Sequence, residues 1–201
     1  STPPTGNLGY GAPQDLISFY LICLYFNPNL TYFITLILTF NQEHPMAISV
    51  NIDLAYEFDV KAKAAEVFDV LSDVPTSASH FPKLDKLTDL GDGAYKWEMA
   101  KVGTAQVNIQ TVYASKYVSN KAKGTVVWTP VKGVGNAQVG GNWKIVDNKT
   151  STNITLSIKG TVDVPLPGLM KMVVAPVVEG EFEKLVDKYI DNLIKRFGGE
   201  V

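Results

Sequence analysis

The chain predicts an α+β fold: a seven-stranded, curved antiparallel sheet wrapped around a long C-terminal helix, with two short helices after strand 1. Three observations predict it. Residues 48–60 alternate apolar and polar with period two, six further strand-like segments follow through short turns, and residues 176–197 carry one helical apolar stripe.

In the first strand Ile48, Val50, Ile52, Leu54, Tyr56, Phe58 and Val60 share a face, with Ser49, Asn51, Asp53, Glu57 and Asp59 opposite. The period then changes. Ala64, Val67, Phe68 and Leu71 take helical spacing, and a second short helix is expected to end near His80-Phe81-Pro82. Residues 84–90 and 94–101 flank Gly91-Asp92-Gly93, a tight-turn sequence. Residues 104–117 predict one strand with Ala105, Val107, Ile109, Thr111 and Tyr113 inside, and residues 123–131 put Val126 and Trp128 together. Residues 135–147 align Ala137, Val139, Gly141, Trp143 and Ile145, and residues 151–164 align Ile154, Leu156, Ile158, Val162 and Val164. Consecutive hairpins with one apolar face imply a single antiparallel sheet. The glycines at 133, 135, 140 and 141 are expected to mark bulges or bends that curve it.

Pro165 and Pro167 stop the last strand. Phe182, Leu185, Val186, Tyr189, Leu193 and Phe197 form the closing helix's stripe, early Glu and late Lys-Arg suit its dipole, and Gly198-Gly199 end it. Pro176 is expected to start this helix or kink a longer one. Residues 169–174 would then be a separate turn or two, a mobile lid.

Charge is uneven. All 18 Lys and Arg follow residue 60, while Asp15 and Glu43 are the only charges before Met46, so the body from Met46 onward is formally neutral. A neutral body without a basic stripe predicts no nucleic-acid partner. Cys23 is the only cysteine, so no disulfide forms within the chain, which suits a cytoplasmic location.

Residues 1–45 read as an apolar leader, and residues 46–201 as the ligand-binding domain. Residues 16–42 are uncharged and long enough to span a bilayer, but Asn27-Pro28-Asn29 divides them, no Lys or Arg flanks them, and no secretory cleavage site stands out. The leading expectation is a translated, non-native leader. A membrane anchor or interfacial hairpin, with membrane contact through residues 16–40, is the alternative; a soluble extension is the third reading.

Val60-x-Ala62 through Val67-Phe68, then Leu71-x-Asp73, resembles the N-terminal signature of the START-related SRPBCC superfamily. That superfamily includes polyketide cyclases and dehydrases, lipid-transfer domains, coenzyme Q-binding proteins and birch-pollen-allergen-like proteins. The ending Val162-x-Val164-Pro165-Leu166-Pro167-Gly168-Leu169-Met170, with Pro176 and the long helix, resembles its C-terminal part. The resemblance spans residues 47–197. Two positions depart from it: Lys63 stands where many relatives have Pro or Ser, and His80-Phe81-Pro82 where a Trp is common. It implies a helix-grip fold whose tunnel, between sheet and helix, binds lipids, sterols, quinones, polyketides or other apolar molecules.

The residues themselves point the same way. Tyr56, Tyr95, Trp97, Tyr113, Trp128 and Trp143 fall on predicted inner faces, where they serve as core or as cavity wall. The expected ligand-binding set adds Phe81, Met99, Val107, Ile109, Met170, Val174 and Val178; methionines such as Met99, Met170 and Met172 adapt to varied ligands. No catalytic residue is expected. His80, the body's only histidine, lacks a carboxylate partner at motif spacing and reads as a loop residue. Asp53, Glu57 and Asp59 face outward. One body histidine without a cysteine supplies no standard zinc site, and no phosphate loop is present, so neither metal nor cofactor is expected. The expected partner is a small hydrophobic molecule, carried or sensed. The alternative is a polyketide cyclase, aromatase or dehydratase, for which tunnel tyrosines, or Thr111 or Asn108 after a register slip, supply the only polar groups.

Overall fold

Thirteen alternating residues make β1, Ile48–Val60, and every second one from Ile48 to Ile52 and from Phe58 to Val60 is buried. The computed structural model describes residues 48–103, 108–165 and 168–201. After β1 come α1 (Ala64–Ser72) and α2 (Val74–Ala78), then β2 (Leu84–Gly91) and β3 (Ala94–Met99). β4 (Val102–Gly103) and β5 (Asn108–Ile109) follow, then β6 (Val112–Asn120), β7 (Thr125–Pro130), β8 (Ala137–Asp147) and β9 (Thr152–Val164). A short 3-10 turn, Gly168–Met170, leads into α3, Lys171–Arg196.

The main sheet has seven strands in the order β1-β9-β8-β7-β6-β3-β2, each pair antiparallel. With two short helices after the first strand and one long helix at the end, this is the helix-grip α+β fold. β4 and β5 pair only with each other, and Lys101–Ile109 belongs to a separate compact unit.

Local chemistry sets the boundaries. α1 starts at Lys63, whose side chain makes no capping bond, so the departure from the usual Pro or Ser leaves this end held by burial of Val67, Phe68, Val70 and Leu71. Between β2 and β3, Gly91, Asp92 and Gly93 all take positive φ, and the Gly91 N–H donates to Asp89 Oδ1 at 2.7 Å. α3 ends where the Gly198 and Gly199 N–H groups bond back to the Lys195 and Ile194 carbonyls, both glycines having positive φ.

Three expectations need correction. The strand predicted over residues 104–117 instead begins at Val112, and β5 is a separate two-residue piece. The Asn136 side chain accepts the Val112 N–H at 2.8 Å while the Asn136 N–H donates to the Val112 carbonyl, so one asparagine ends the ladder. Residues 169–174 are not a separate turn: the helix runs unbroken from Lys171 through Pro176. Proline there deletes one N–H bond without stopping a helix that the following turns hold. Gly140 and Gly141 create no bulge either, because β8 pairs with β9 in continuous register. Gly141 instead provides room: a Cβ would strike the Ser157 carbonyl and the Trp128 indole, which lies against it from the neighbouring strand.

Among the described residues, no helix is long and apolar enough to cross a membrane.

The glycines give a paired prediction. Gly141→Ala overpacks the Trp128 contact and lowers stability by about 1–3 kcal/mol. Gly180→Ala, where an added Cβ meets nothing within 4 Å, raises it by about 0.5–1 kcal/mol. Urea unfolding of both variants checks the opposite signs.

Candidate functional site

The concave face holds a hollow whose wall is built by strand periodicity. Trp97 comes from β3, Tyr113 and Tyr117 from β6, Trp128 from β7 and Trp143 from β8, with Val139, Leu156 and Ile158 beside them. Leu71, Val74, Ser77 and Phe81 close one side from α1, α2 and the loop after it; Phe182 and Tyr189 close the other from α3. The aromatics touch in sequence. Trp97 stacks on Tyr113 at 5.9 Å, Tyr117 on Trp128 at 5.8 Å, and Trp128 meets Trp143 at 6.5 Å. Tyr189 contacts Trp143 at 6.1 Å and Phe81 at 5.1 Å, and Phe81 meets Trp97 edge-on at 5.9 Å. Chemically this wall solvates apolar, polarisable surface.

Among the described residues, no charged side chain lines the hollow. Burial is the largest influence on its tyrosines. The Tyr113 and Tyr117 phenols are held far above their ordinary range because the anion would lose its solvation, and Tyr189 is pushed up to about 12 for the same reason. The Tyr189 hydroxyl pairs with Ser77 Oγ at 2.6 Å, which pins the helix to α2. The Trp97 indole N–H is buried without an acceptor at hydrogen-bond geometry, although it faces the Tyr117 phenol closely enough to favour its phenolate slightly.

The hollow encloses about 50 Å³, space for a few waters. Ligand pockets of drug-sized molecules run to about 300–1,000 Å³. The wall is therefore largely collapsed upon itself.

Of the expected binding residues, Phe81, Trp97, Tyr113, Trp128 and Trp143 meet at this hollow. Met99 and Val174 are buried but do not line it, and Val178 is half-buried elsewhere. Tyr56 lies half-buried under α3 and donates its hydroxyl to Asp187 Oδ1 at 2.7 Å, a clasp between β1 and the helix. Val107 falls outside the described residues, as do the side chains of Ile109 and Met170. Tyr117, Phe182 and Tyr189 were absent from the expected set. Extending the period of Tyr113 by four residues finds Tyr117, and the helical stripe already contained the other two. Ser77 carried no signal.

His80 is a loop residue: its Nδ1 lies 2.9 Å from the Thr76 carbonyl, and its own carbonyl accepts from Asn192. Asp53 faces Lys159 at 3.2 Å, and Glu57 and Asp59 accept from Asn153 and Asn148 on the surface.

The sequence pattern of the family described as polyketide cyclase/dehydrase and lipid transport matches residues 51–195. A START superfamily protein from Mycobacterium smegmatis superposes with a TM-score of 0.54 at 14% identity, covering 73% of this chain and 97% of its own. A conserved protein from Geobacillus kaustophilus gives 0.52 at 15% identity, covering 75% and 95%. The two-domain aromatase/cyclase StfQ of the steffimycin biosynthetic pathway gives 0.51 at 11% identity, covering 74% of this chain and 50% of its own. No curated protein matches the sequence.

The raised phenols predict how the fold fails in alkali. Between the ordinary value of 10.0 and about 12, the unfolded chain releases the Tyr189 proton that the folded chain keeps, so stability is full below that window and falls as pH rises through it. Tyrosinate absorbance followed with circular dichroism should show the buried phenols ionising together with unfolding, not before it.

Proposed function

Because the chain belongs to the polyketide cyclase/dehydrase and lipid transport family, we propose that it binds and carries a small hydrophobic molecule between the sheet and α3. One observation carries this reading: eight aromatic side chains, five on the concave sheet face and three from the loop and helix over it, line one hollow without a charged group among the described residues. Such a surface gives apolar matter a refuge and gives general acid–base chemistry no ionised partner. Phe81, Trp97, Tyr113, Trp128 and Trp143 are the contact residues from the strands and the loop, and Phe182 is the one at the helix.

The ligand makes its own room. From Val186 onward α3 buries Val186, Tyr189, Ile190 and Leu193, with Phe197 buried just past its end, whereas Val174 is the buried residue of its first half among the described side chains. Pro176 leaves one carbonyl of that half without its helical donor. The first half is thus the cheaper one to lift, and Phe182 moves with it.

A second reading, an aromatase or cyclase, is favoured by the Tyr113 and Tyr117 hydroxyls on the wall. Their raised pKa keeps them neutral and makes them weak acids, so they would orient a poly-β-ketone by donating hydrogen bonds rather than exchange protons with it.

The test is extraction of natively purified protein followed by mass spectrometry. A retained apolar molecule at near-stoichiometric amount supports carriage; protein that is empty and binds none of a panel of lipids, sterols and quinones contradicts it. Phe182→Ala should leave the fold intact and weaken binding about tenfold, the loss of one ring's buried contact, as measured by titration. Turnover of a poly-β-ketone that Tyr113→Phe abolishes would instead select the enzyme.

A further inference from the structure

The hollow has an excess of hydrogen-bond donors, and this narrows the class of ligand. Trp97 is 6% exposed, its ring forms part of the wall, and its indole N–H is buried without a partner. An indole N–H only donates. Buried polar atoms left in this state are few in native proteins, because each gives up its bond to water without replacement. The Tyr113 and Tyr117 hydroxyls line the same space, one directly across the ladder from Trp97 and the other four residues along β6. The Tyr113 hydroxyl has no hydrogen-bond partner among the described residues, and the Tyr117 oxygen faces only the Trp97 N–H, short of hydrogen-bond geometry, whereas Tyr189 and Ser77 satisfy each other.

Acceptors do not balance these donors. Among the described residues, no carboxylate, side-chain amide or histidine lines the hollow. Rotation of the Trp97 N–H onto the Tyr117 oxygen would still leave the phenol proton free, so the surplus survives either arrangement. Both phenols are protonated at neutral pH, and burial raises them further above their ordinary value of 10.0.

We propose that the ligand is an oxygenated apolar molecule whose carbonyl, as in a ketone, quinone or ester, accepts the Trp97 indole N–H, with the Tyr113 or Tyr117 hydroxyl as a second donor. This rests on the hydrophobic-ligand reading above and specifies what that reading leaves open. A saturated hydrocarbon or an unsubstituted alkyl chain leaves the donors buried and unmet; a carbonyl at this corner meets them while the rest of the molecule stays against rings. Trp97 is then a specificity residue rather than filler.

The test uses two probes of the same shape, acetophenone and α-methylstyrene, which differ by a carbonyl oxygen in place of a methylene. Binding is followed by titration calorimetry and by the indole N–H signals of ¹⁵N-labelled protein, three in number because the chain has 3 tryptophans. Acetophenone should move the Trp97 signal, identified by its loss in Trp97→Phe, to lower field, and α-methylstyrene should not. Trp97→Phe should lower acetophenone affinity about tenfold more than it lowers α-methylstyrene affinity. Tyr113→Phe and Tyr117→Phe each remove one oxygen with little change of volume, and at least one should act in the same sense. The inference is overturned if all three variants bind acetophenone as the parent does, or if they lose both probes equally while the parent binds both. Binding of neither probe to the parent protein would overturn the inference together with the hydrophobic-ligand reading.

Discussion

The seating of the last turns of α3 against the sheet is the constraint on which the rest depends. Val186, Leu193 and Phe197 are all but inaccessible to water, and the chain beyond them ties back to β1. The Ala62 N–H bonds to the Phe197 carbonyl at 3.0 Å, Lys61 to Gly199 at 3.2 Å, and Val201 donates to Asp59 at 3.1 Å. Burial of these side chains favours the folded state by roughly 1.5–3 kcal/mol each. The surface ion pairs, such as Arg196 with Glu66 at 3.0 Å, add far less, because exposed pairs are screened. Apolar contact, fixed in place by a few backbone bonds, therefore sets where the helix lies.

From that anchor the hollow follows. A helix deeply buried along its second half and sparsely along its first encloses space beside the sheet without filling it. Tyr189 and Phe182 differ in this respect: the first is tied to Ser77 on the deeply buried part, the second stands half-buried on the other. Strand residues complete the enclosure because Trp97, Tyr113, Tyr117, Trp128 and Trp143 put large rings on the inner face beside Val139, Leu156 and Ile158, and the absence of a side chain at Gly141 lets Trp128 lie flat within it. With charge excluded from the lining, desolvation becomes the dominant electrostatic effect in the site, and it acts on phenols, indoles and the Ser77 hydroxyl.

Much of this was legible in the sequence where one physical signal dominated. β1 was readable to its ends because Ile48 to Val60 alternate without a break, and β8 and β9 nearly so. Trp97, Tyr113, Trp128 and Trp143 were found as wall residues by the same alternation. The failures share a cause, namely tertiary contacts that local pattern does not encode. Asn136, distant in sequence, decides where β6 begins. Pro176 looks like a helix start until the packing of later turns carries the helix past it. Gly141 reads as a bend but serves the ring on the next strand. Tyr56 has the correct face yet lies beneath the helix beside Asp187, a position that only the three-dimensional course of α3 determines.

Because every tryptophan of the chain faces the hollow, its emission reports on that space alone. Quenching by a bromoalkane such as 1-bromohexane, compared with quenching by iodide, measures directly whether the space admits apolar matter and rejects ions. The account predicts saturable quenching by the bromoalkane and near-complete protection from iodide. Ready quenching by iodide, or bromoalkane quenching that never saturates, would contradict a charge-free hollow that holds a hydrophobic ligand.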